Sequence, residues 1–240
     1  MYEIVSRSSP SSTLQSNIDT ISDWTERNNM RLNVSKTKEL RVSFLRDPLL
    51  FDNLSSSGSN IEIVQDFKLL GLTISSNLTW NTHVNHICSK ASKRLYALRV
   101  LKRSGATTND LIIVYCSFIR PVLEYACAVF HFSLTQTLSD QVEHIQKRAL
   151  KIVYPHSPSY HSSLEYAGIS TLHQRRHDQC KTLYKNIQHQ EDNKLTSLLP
   201  DAKSFKYNLR NPRTYTLFNC RTERLKNSFI PKCVHLWDEI

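Results

Sequence analysis

Thr79-Trp80-Asn81-Thr82-His83-Val84-Asn85-His86-Ile87-Cys88-Ser89-Lys90-Ala91-Ser92-Lys93-Arg94-Leu95-Tyr96-Ala97-Leu98-Arg99 is the stretch where the apolar period of the chain changes from two to about 3.6. Trp80, Val84, Ile87, Cys88, Ala91, Leu95 and Leu98 fall on one stripe of a helix, and Lys90, Lys93, Arg94 and Arg99 lie away from it. A stripe of that width has to be buried against other helices. Downstream, Thr107 or Thr108 caps a helix carrying Leu111, Tyr115, Phe118, Val122 and Ala126, which Pro121 should kink. Leu134, Leu138, Val142, Ile145, Ala149 and Ile152 mark a third helix, and Leu172, Cys180, Leu183 and Ile187 a fourth. Residues 79–200 therefore read as a helical bundle.

Upstream the pattern is different. Residues 1–12 form a polar leader with Ser8, Ser9, Ser11 and Ser12, and Leu14, Ile18, Ile21 and Trp24 then recur at helical spacing as far as Asn28-Asn29, with Ser12 and Gln15 spaced as a capping box. Leu40, Val42 and Phe44 alternate with polar residues up to Pro48, the Ser55–Asn60 segment reads as a turn, and Ile61, Ile63 and the run Phe67–Ile74 resume the alternation. Residues 13–78 thus predict one helix and a small antiparallel sheet. The fold class is α+β: that short sheet region, then the mainly helical bundle, then a basic segment over 201–240.

Composition narrows the function. The 240 residues are 40% hydrophobic and 22% charged, which suffices for a sizeable core, and only 4 are Gly, too few for a GxGxxG or Walker-type phosphate loop. The net charge of +10, with a pI of about 9.4, attracts polyanions. It is unevenly placed: residues 1–80 carry 8 Lys/Arg against 9 Asp/Glu, 81–202 carry 15 against 9, and 203–240 carry 8 against 3. The last of these interleaves Lys203, Lys206, Arg210, Arg213, Arg221 and Arg224 with Phe205, Tyr207, Tyr215, Phe218, Phe229 and Trp237, a composition suited to phosphates and stacked bases, or to a solvated tail whose rings pack back on the bundle.

Cysteines at 88, 116, 127, 180, 220 and 233 are far apart and form no CxxC pair, so they read as reduced thiols of an intracellular protein, in the nucleus or the cytoplasm. The first residues lack an apolar signal region, and the run Leu111–Ile119 is well short of the roughly 20 residues of a bilayer span, so no membrane is expected. His173 and His177 stand at i,i+4, but neither HExxH nor a Cys/His quartet with zinc spacing accompanies them, and no metal site is expected. Without GxSxG, no nucleophile elbow is present either.

One order of elements is more specific. Trp24, Asn28, Met30-Arg31-Leu32-Asn33 and Lys36-Thr37-Lys38 precede Phe67–Ile74, Leu78-Thr79-Trp80 and His83; then come Tyr115, Ile119–Tyr125, Ile145-Gln146-Lys147-Arg148-Ala149, Gly168, Leu172, Arg175-Arg176, Ser228–Pro231 and Leu236-Trp237. Over residues 14–238 this order resembles the C-terminal half of the reverse transcriptase of non-LTR (LINE, jockey-like) retrotransposons.

The resemblance implies the end of a palm with a primer-grip hairpin, a thumb and the region beyond it. It makes Lys36 the matching position of the lysine placed near the leaving pyrophosphate, and Leu70-Gly71 the primer-grip hairpin where a glycine lets a nucleic-acid backbone approach. Basic residues of the thumb and beyond would hold RNA, DNA or an RNA/DNA hybrid; we take these as Lys90, Lys93, Arg94, Lys147, Arg148, Arg175, Arg176, Arg221 and Arg224. The family polymerises with Mg²⁺ held by an upstream strand Asp and an (F/Y)-x-D-D hairpin, and template-directed phosphoryl transfer needs such carboxylates around ions about 3.5–4 Å apart. No adjacent Asp-Asp pair occurs in the 240 residues, so the chain is expected to bind no Mg²⁺ and to be inactive as a polymerase by itself, whatever it grips.

The alternative that the residues leave open is a helical protein-interaction module, or an inert retroelement relic. A palm lacking its remainder should expose strand edges and an apolar face, and so be marginally stable and prone to self-association. The purified chain is expected to melt below about 60 °C or to associate; a cooperative transition of a monomer well above that temperature would contradict this.

Overall fold

The structure, a computed structural model, describes residues 1–6, 11–47, 49–190, 193–202 and 214–237. Ser8 and Ser9 of the leader, the strand-ending Pro48, and the basic and aromatic run with Lys203, Phe205, Lys206, Tyr207, Arg210 and Arg213 lie outside the described residues. The chain is α+β and divides into two compact units, residues 1–83 and 84–240.

The first unit opens with α1 (Leu14–Arg27), whose Ile18 is buried. Its N-terminus is not closed by the expected capping box. The Glu3 carboxylate instead accepts from Ser12 Oγ at 2.7 Å and from Thr13 N and Oγ1 at 2.9 Å each, and these donors hold its carboxyl below the usual range. Gln15 faces another way. Its side-chain amide pairs with the Ser55 backbone, donating to the carbonyl at 3.0 Å and accepting from the N–H at 2.9 Å, as a neighbouring strand would.

The expected single antiparallel sheet is three separate two-stranded pairs. β1 (Lys38–Leu40) pairs with β4 (Glu62–Val64) in parallel, Lys38 opposite Glu62. The intervening residues 41–61, which include the β2 (Ser55–Ser56) and β3 (Ser59–Asn60) hairpin, form the long crossover that parallel pairing requires. The strand expected to run through Val42 and Phe44 ends at Leu40, and both side chains are exposed. Arg41 explains this: its guanidinium bonds the Glu39 carboxylate at 2.6 and 3.2 Å and donates to the carbonyls of Phe51 at 3.0 Å and Asp52 at 2.9 Å, drawing the chain out of the ladder.

Phe67–Ile74 is not one strand but a hairpin of β5 (Asp66–Leu69) and β6 (Leu72–Ser75). Its two turn residues, Leu70 and Gly71, have φ of 47° and 88°, the left-handed values of a type I′ turn.

The second unit is helical. α2 (Asn81–Arg103) buries Val84, Ile87, Cys88, Ala91, Leu95 and Leu98, the stripe read from sequence. α3 (Thr108–Val114) starts at a capping box in which Thr107 Oγ1 accepts from Asp110 N and the Asp110 carboxylate accepts from Thr107 N. A π turn over Tyr115–Ile119 then leads into α4 (Arg120–Glu124), where Pro121 sits in the first turn and its missing N–H is not needed. The kink expected at Pro121 lies instead at Tyr125-Ala126, where Ala126 has φ 52° and the chain bends by 41° into α5 (Cys127–Phe130). α6 (Gln136–Val153) and α8 (Leu172–His189) are the expected third and fourth helices, capped by Thr135 and Thr171. Between them α7 (Tyr160–Ala167) was not expected; it ends at Gly168, φ 61°, which supplies the left-handed C-cap. The short α9 (Glu223–Lys226) leads into α10 (Phe229–Trp237), which packs on α8 and α5 through Cys233, Val234 and Trp237. Among the described residues no single helix is long and apolar enough to cross a membrane, and Leu111, Tyr115, Ile119, Leu123 and Phe130 of the apolar α3–α5 run lie in the core.

A polar network crosses this core. Gln146, fully buried on α6, accepts from Tyr115 OH at 2.6 Å and donates to Tyr160 OH at 2.9 Å and to the Ser170 carbonyl at 3.0 Å. Tyr160 OH donates onward to Glu143, whose two oxygens accept the Leu172 and His173 amides at 3.2 and 3.1 Å and so cap α8 from α6. Gln146→Leu leaves the Tyr115 hydroxyl and the Ser170 carbonyl without their partner and takes one of two from Tyr160, and we expect it to destabilise the chain by about 2–4 kcal/mol. Loss of the Thr107 cap in Thr107→Ala should cost about 1 kcal/mol. Urea midpoints of the two variants check the order; an equal effect would contradict the network's weight.

Candidate nucleic-acid interface

Residues 81–103 contain six Lys/Arg and no Asp or Glu, so α2 has no acid to neutralise its own cations. It lies beside α6 and runs parallel to it. Gln141 Nε2 donates to Asn85 Oδ1 at 2.9 Å and Arg148 Nη1 to Ser92 Oγ at 3.2 Å, and both pairs are separated by 56 positions, so the two helices advance in one register. Exposed Tyr96, Arg99 and Arg103 follow Ser92 at helical spacing on α2, while His144 and Lys151 flank Arg148 on α6. With Lys93 beside them, these residues make a continuous basic face. From Ser92 to Arg103 it extends about 16 Å, roughly five base steps of a duplex.

The acids of α6 are turned to other work. Glu143 caps α8, and Asp140 accepts from Gln136 Nε2 at 2.9 Å. Two cations near the face are also engaged. Lys102 Nζ caps the C-terminal carbonyls of α6, Ile152 and Val153, and Lys151 Nζ donates to the Pro155 carbonyl at 2.8 Å while its side chain stays exposed.

The expected contact residues separate into three groups. Lys90 and Lys93 are exposed on α2, and Arg148 is half-buried with its guanidinium at the α2–α6 seam. Arg94 and Lys147 lie over rings: the Arg94 guanidinium is 4.2 Å from the Phe118 centroid and donates to the Phe118 carbonyl, and Lys147 Nζ is 5.2 Å from the Tyr160 centroid. Arg221 and Arg224 are exposed in the segment that leads into α10.

Arg175 and Arg176 require correction. Arg175 bonds the Glu124 carboxylate bidentately at 2.5 and 3.2 Å, joining α8 to α4, and Arg176 has no exposed surface at all. Arg176 cannot reach a phosphate without breaking the bundle, and the half-buried Arg175 has its guanidinium committed to Glu124. Their adjacency in sequence suggested a surface pair, yet successive residues on a helix point 100° apart and both happen to face neighbours. Arg99, Arg103, Lys151 and Tyr96 were missed as members of the face. The acid-free composition of 81–103 was the signal that could have found them.

In the first unit, Lys36 is exposed at the end of a 3₁₀ turn whose Asn33 side chain accepts from Lys36 N at 3.1 Å. Leu70 is 82% exposed at the tip of the β5–β6 hairpin, with Gly71 beside it. A leucine with positive φ costs on the order of 1 kcal/mol, a conformation that glycine adopts without strain. Among the described residues no group of three His, Cys, Asp or Glu could hold a metal ion, so nothing there fits a Mg²⁺ site of the polymerase kind.

An RNA-directed DNA polymerase from the mobile element jockey of Drosophila melanogaster is 24% identical to this chain over 142 residues, 58% of the chain. The likeness is to a reverse transcriptase. The matched region is 15% of that polymerase's length. No family profile matches the chain, and no solved structure does. Of the spaced residues that resemble reverse transcriptases, Tyr115 bonds to Gln146 and Glu124 to Arg175, so several of them hold the bundle together.

Burial, with Arg176 close by, sets the local titration. Burial, then the charges of Arg176, His173 and His177, push His131 down to about 3, and burial lowers the more open His173 as well. Between pH 6.5 and 3 the unfolded chain therefore binds a proton at His131 that the folded chain does not, and stability falls as pH falls through this window. His131→Gln should flatten the pH dependence of unfolding there by at most about 1.4 kcal/mol per pH unit. Urea unfolding at pH 6.5, 5.5 and 4.5 measures it; parallel curves for the two proteins would contradict the assignment.

Proposed function

We propose that this reverse-transcriptase-related chain grips nucleic acid, RNA, DNA or an RNA/DNA hybrid, through the sugar–phosphate backbone on its α2–α6 face. The observation that carries the proposal is the acid-free helix α2 set in parallel beside the basic half of α6, which gathers Lys93, Arg99, Arg103, Arg148 and Lys151 on one side. Lysine and arginine there release condensed counterions on binding, which favours backbone contact without base readout. Tyr96, 63% exposed among these cations, offers a ring on which an unpaired base could stack.

In the same reading, the Leu70-Gly71 tip is a second approach point for a nucleic-acid backbone, as in a primer grip. Gly71 brings no side chain to keep the backbone away, and the strain at Leu70 marks the tip as a place where function outweighs local stability. Lys36 stands as the family-matched leaving-group lysine. It has no chemistry to assist within this chain, because two-metal phosphoryl transfer needs paired carboxylates and the 240 residues hold no adjacent Asp-Asp.

Binding of an RNA/DNA hybrid by the whole chain should weaken linearly in log affinity against log salt, without preference for sequence. Lys93→Ala, Arg148→Ala and Lys151→Ala together should reduce the slope by about one unit for each phosphate no longer neutralised. Arg175→Ala serves as the control and should lower stability while leaving that slope alone. Salt-independent binding, or a slope unchanged in the triple variant, would reject the face and favour a protein partner. Incorporation of deoxynucleotides with Mg²⁺ by the homogeneous chain would reject the view that it only grips.

A further inference from the structure

Cys127, Cys180 and Cys233 come from α5, α8 and α10, and all three are buried. Cys127 Sγ lies 3.1 Å from Gln179 Oε1 and 3.9 Å from the Arg176 carbonyl. In a helix that carbonyl accepts the N–H of Cys180, four residues on, so the Cys127 sulfur sits on the Cys180 turn. The two thiols hydrogen-bond each other. Beside them is the enclosed guanidinium of Arg176, which donates to Ser139 Oγ at 3.1 Å while its Nε and Nη1 have no hydrogen-bond partner among the described residues. A cation next to a thiol pair favours the thiolate, the reactive form of cysteine.

The geometry points to a redox modification site: we propose that Cys127 and Cys180 are a thiol pair that a hydroperoxide converts into an intramolecular disulfide between α5 and α8. The Cys127 thiolate attacks one peroxide oxygen, the O–O bond breaks, and Cys127 becomes a sulfenic acid as hydroxide leaves. Cys180 then attacks that sulfur, the S–O bond breaks, and the proton released by Cys180 leaves with the hydroxyl as water. In sum, two thiols and one hydrogen peroxide give one disulfide and two waters; sulfur is oxidised and peroxide oxygen reduced.

The two thiols are matched to unequal roles. The hydrogen bond from Cys180, and then the Arg176 charge, hold the Cys127 thiol below its ordinary value despite burial, whereas the same bond and burial push Cys180 up. Cys88 also feels the Arg176 charge, but neither it nor Cys233 is hydrogen-bonded to another thiol. Burial drives Cys88 up to about 11 and Cys233 up as well, which leaves both protonated and slow.

The test treats the folded whole chain with substoichiometric hydrogen peroxide, blocks free thiols by alkylation and maps the peptides by mass. A Cys127–Cys180 cross-link is expected before any change at Cys116 or Cys220, which are nearer the surface. Cys180→Ser should halt the reaction at a Cys127 sulfenic acid that dimedone traps, and Cys127→Ser should leave Cys180 reduced at the same dose. Oxidation of Cys116 or Cys220 first, with Cys127 and Cys180 still reduced, would overturn the proposal, as would Cys180 oxidising equally fast in Cys127→Ser. The mapping on the unaltered chain decides even where a variant does not fold.

Discussion

The amide of Gln146 is the constraint on which the second unit depends. A buried carboxamide must have its hydrogen bonds, or it costs more than an apolar group of the same shape. Here its partners, Tyr115, Tyr160 and Ser170, lie at the end of α3, on α7 and just before α8. Satisfying one side chain on α6 therefore sets the depth of three other segments at once. Apolar stripes alone would let α6 slide by a turn against its neighbours; directional bonds remove that freedom. Glu143, one turn earlier, extends the same control by supplying acceptors to the first amides of α8.

Once α6 is held, the charges sort themselves. Two carboxylates of the bundle, Glu143 and Glu124, are drawn inward to cap α8 and to pair with Arg175, and α6 presents Arg148 and Lys151 on its α2 side. The basic face is thus a consequence of how acids are used inside. The same architecture encloses Arg176 with few partners beside the Cys127–Cys180 contact, and burial, then the Arg176 charge, depresses the neighbouring histidines. A buried cation with an incomplete shell is an expensive feature for a structural core. Its persistence next to a thiol pair gives the core a chemical property as well as a mechanical one.

The first unit is built on different terms. Among its described residues the buried apolar side chains are Ile18 and Ile61, and Ile21, Trp24, Phe44, Ile63 and Leu70 are exposed. Polar bonds carry it: the Gln15 amide against Ser55, the Arg41 guanidinium against Glu39, Phe51 and Asp52, and the Lys38–Glu62 pair at 2.5 Å. Two-stranded pairs with so little core between them are marginal in water. A single alternating pattern could not show this, because alternation specifies a half-buried strand without naming its neighbour. For that reason the Leu40–Phe44 strand was overextended and the parallel β1–β4 pairing was unforeseen.

What sequence alone determined was whatever depends on near neighbours: the α2 stripe, the Thr107 cap, the excess of positive charge, and the order of residues that resembles a reverse transcriptase, whereas the kink expected at Pro121 falls after Glu124. Each is written in spacings of one to four residues or in plain counts. Tertiary structure decided which of the cations face water. Lys93 and Arg176 look alike in a string of letters, but Lys93 stands on the open side of α2, while Arg176 is enclosed by α5, α6 and α8. Only packing brought Cys127 to Cys180 and set Arg148 beside Ser92, 56 positions away. Contacts between distant segments are chosen by the fit of whole helices, and no local pattern encodes that fit.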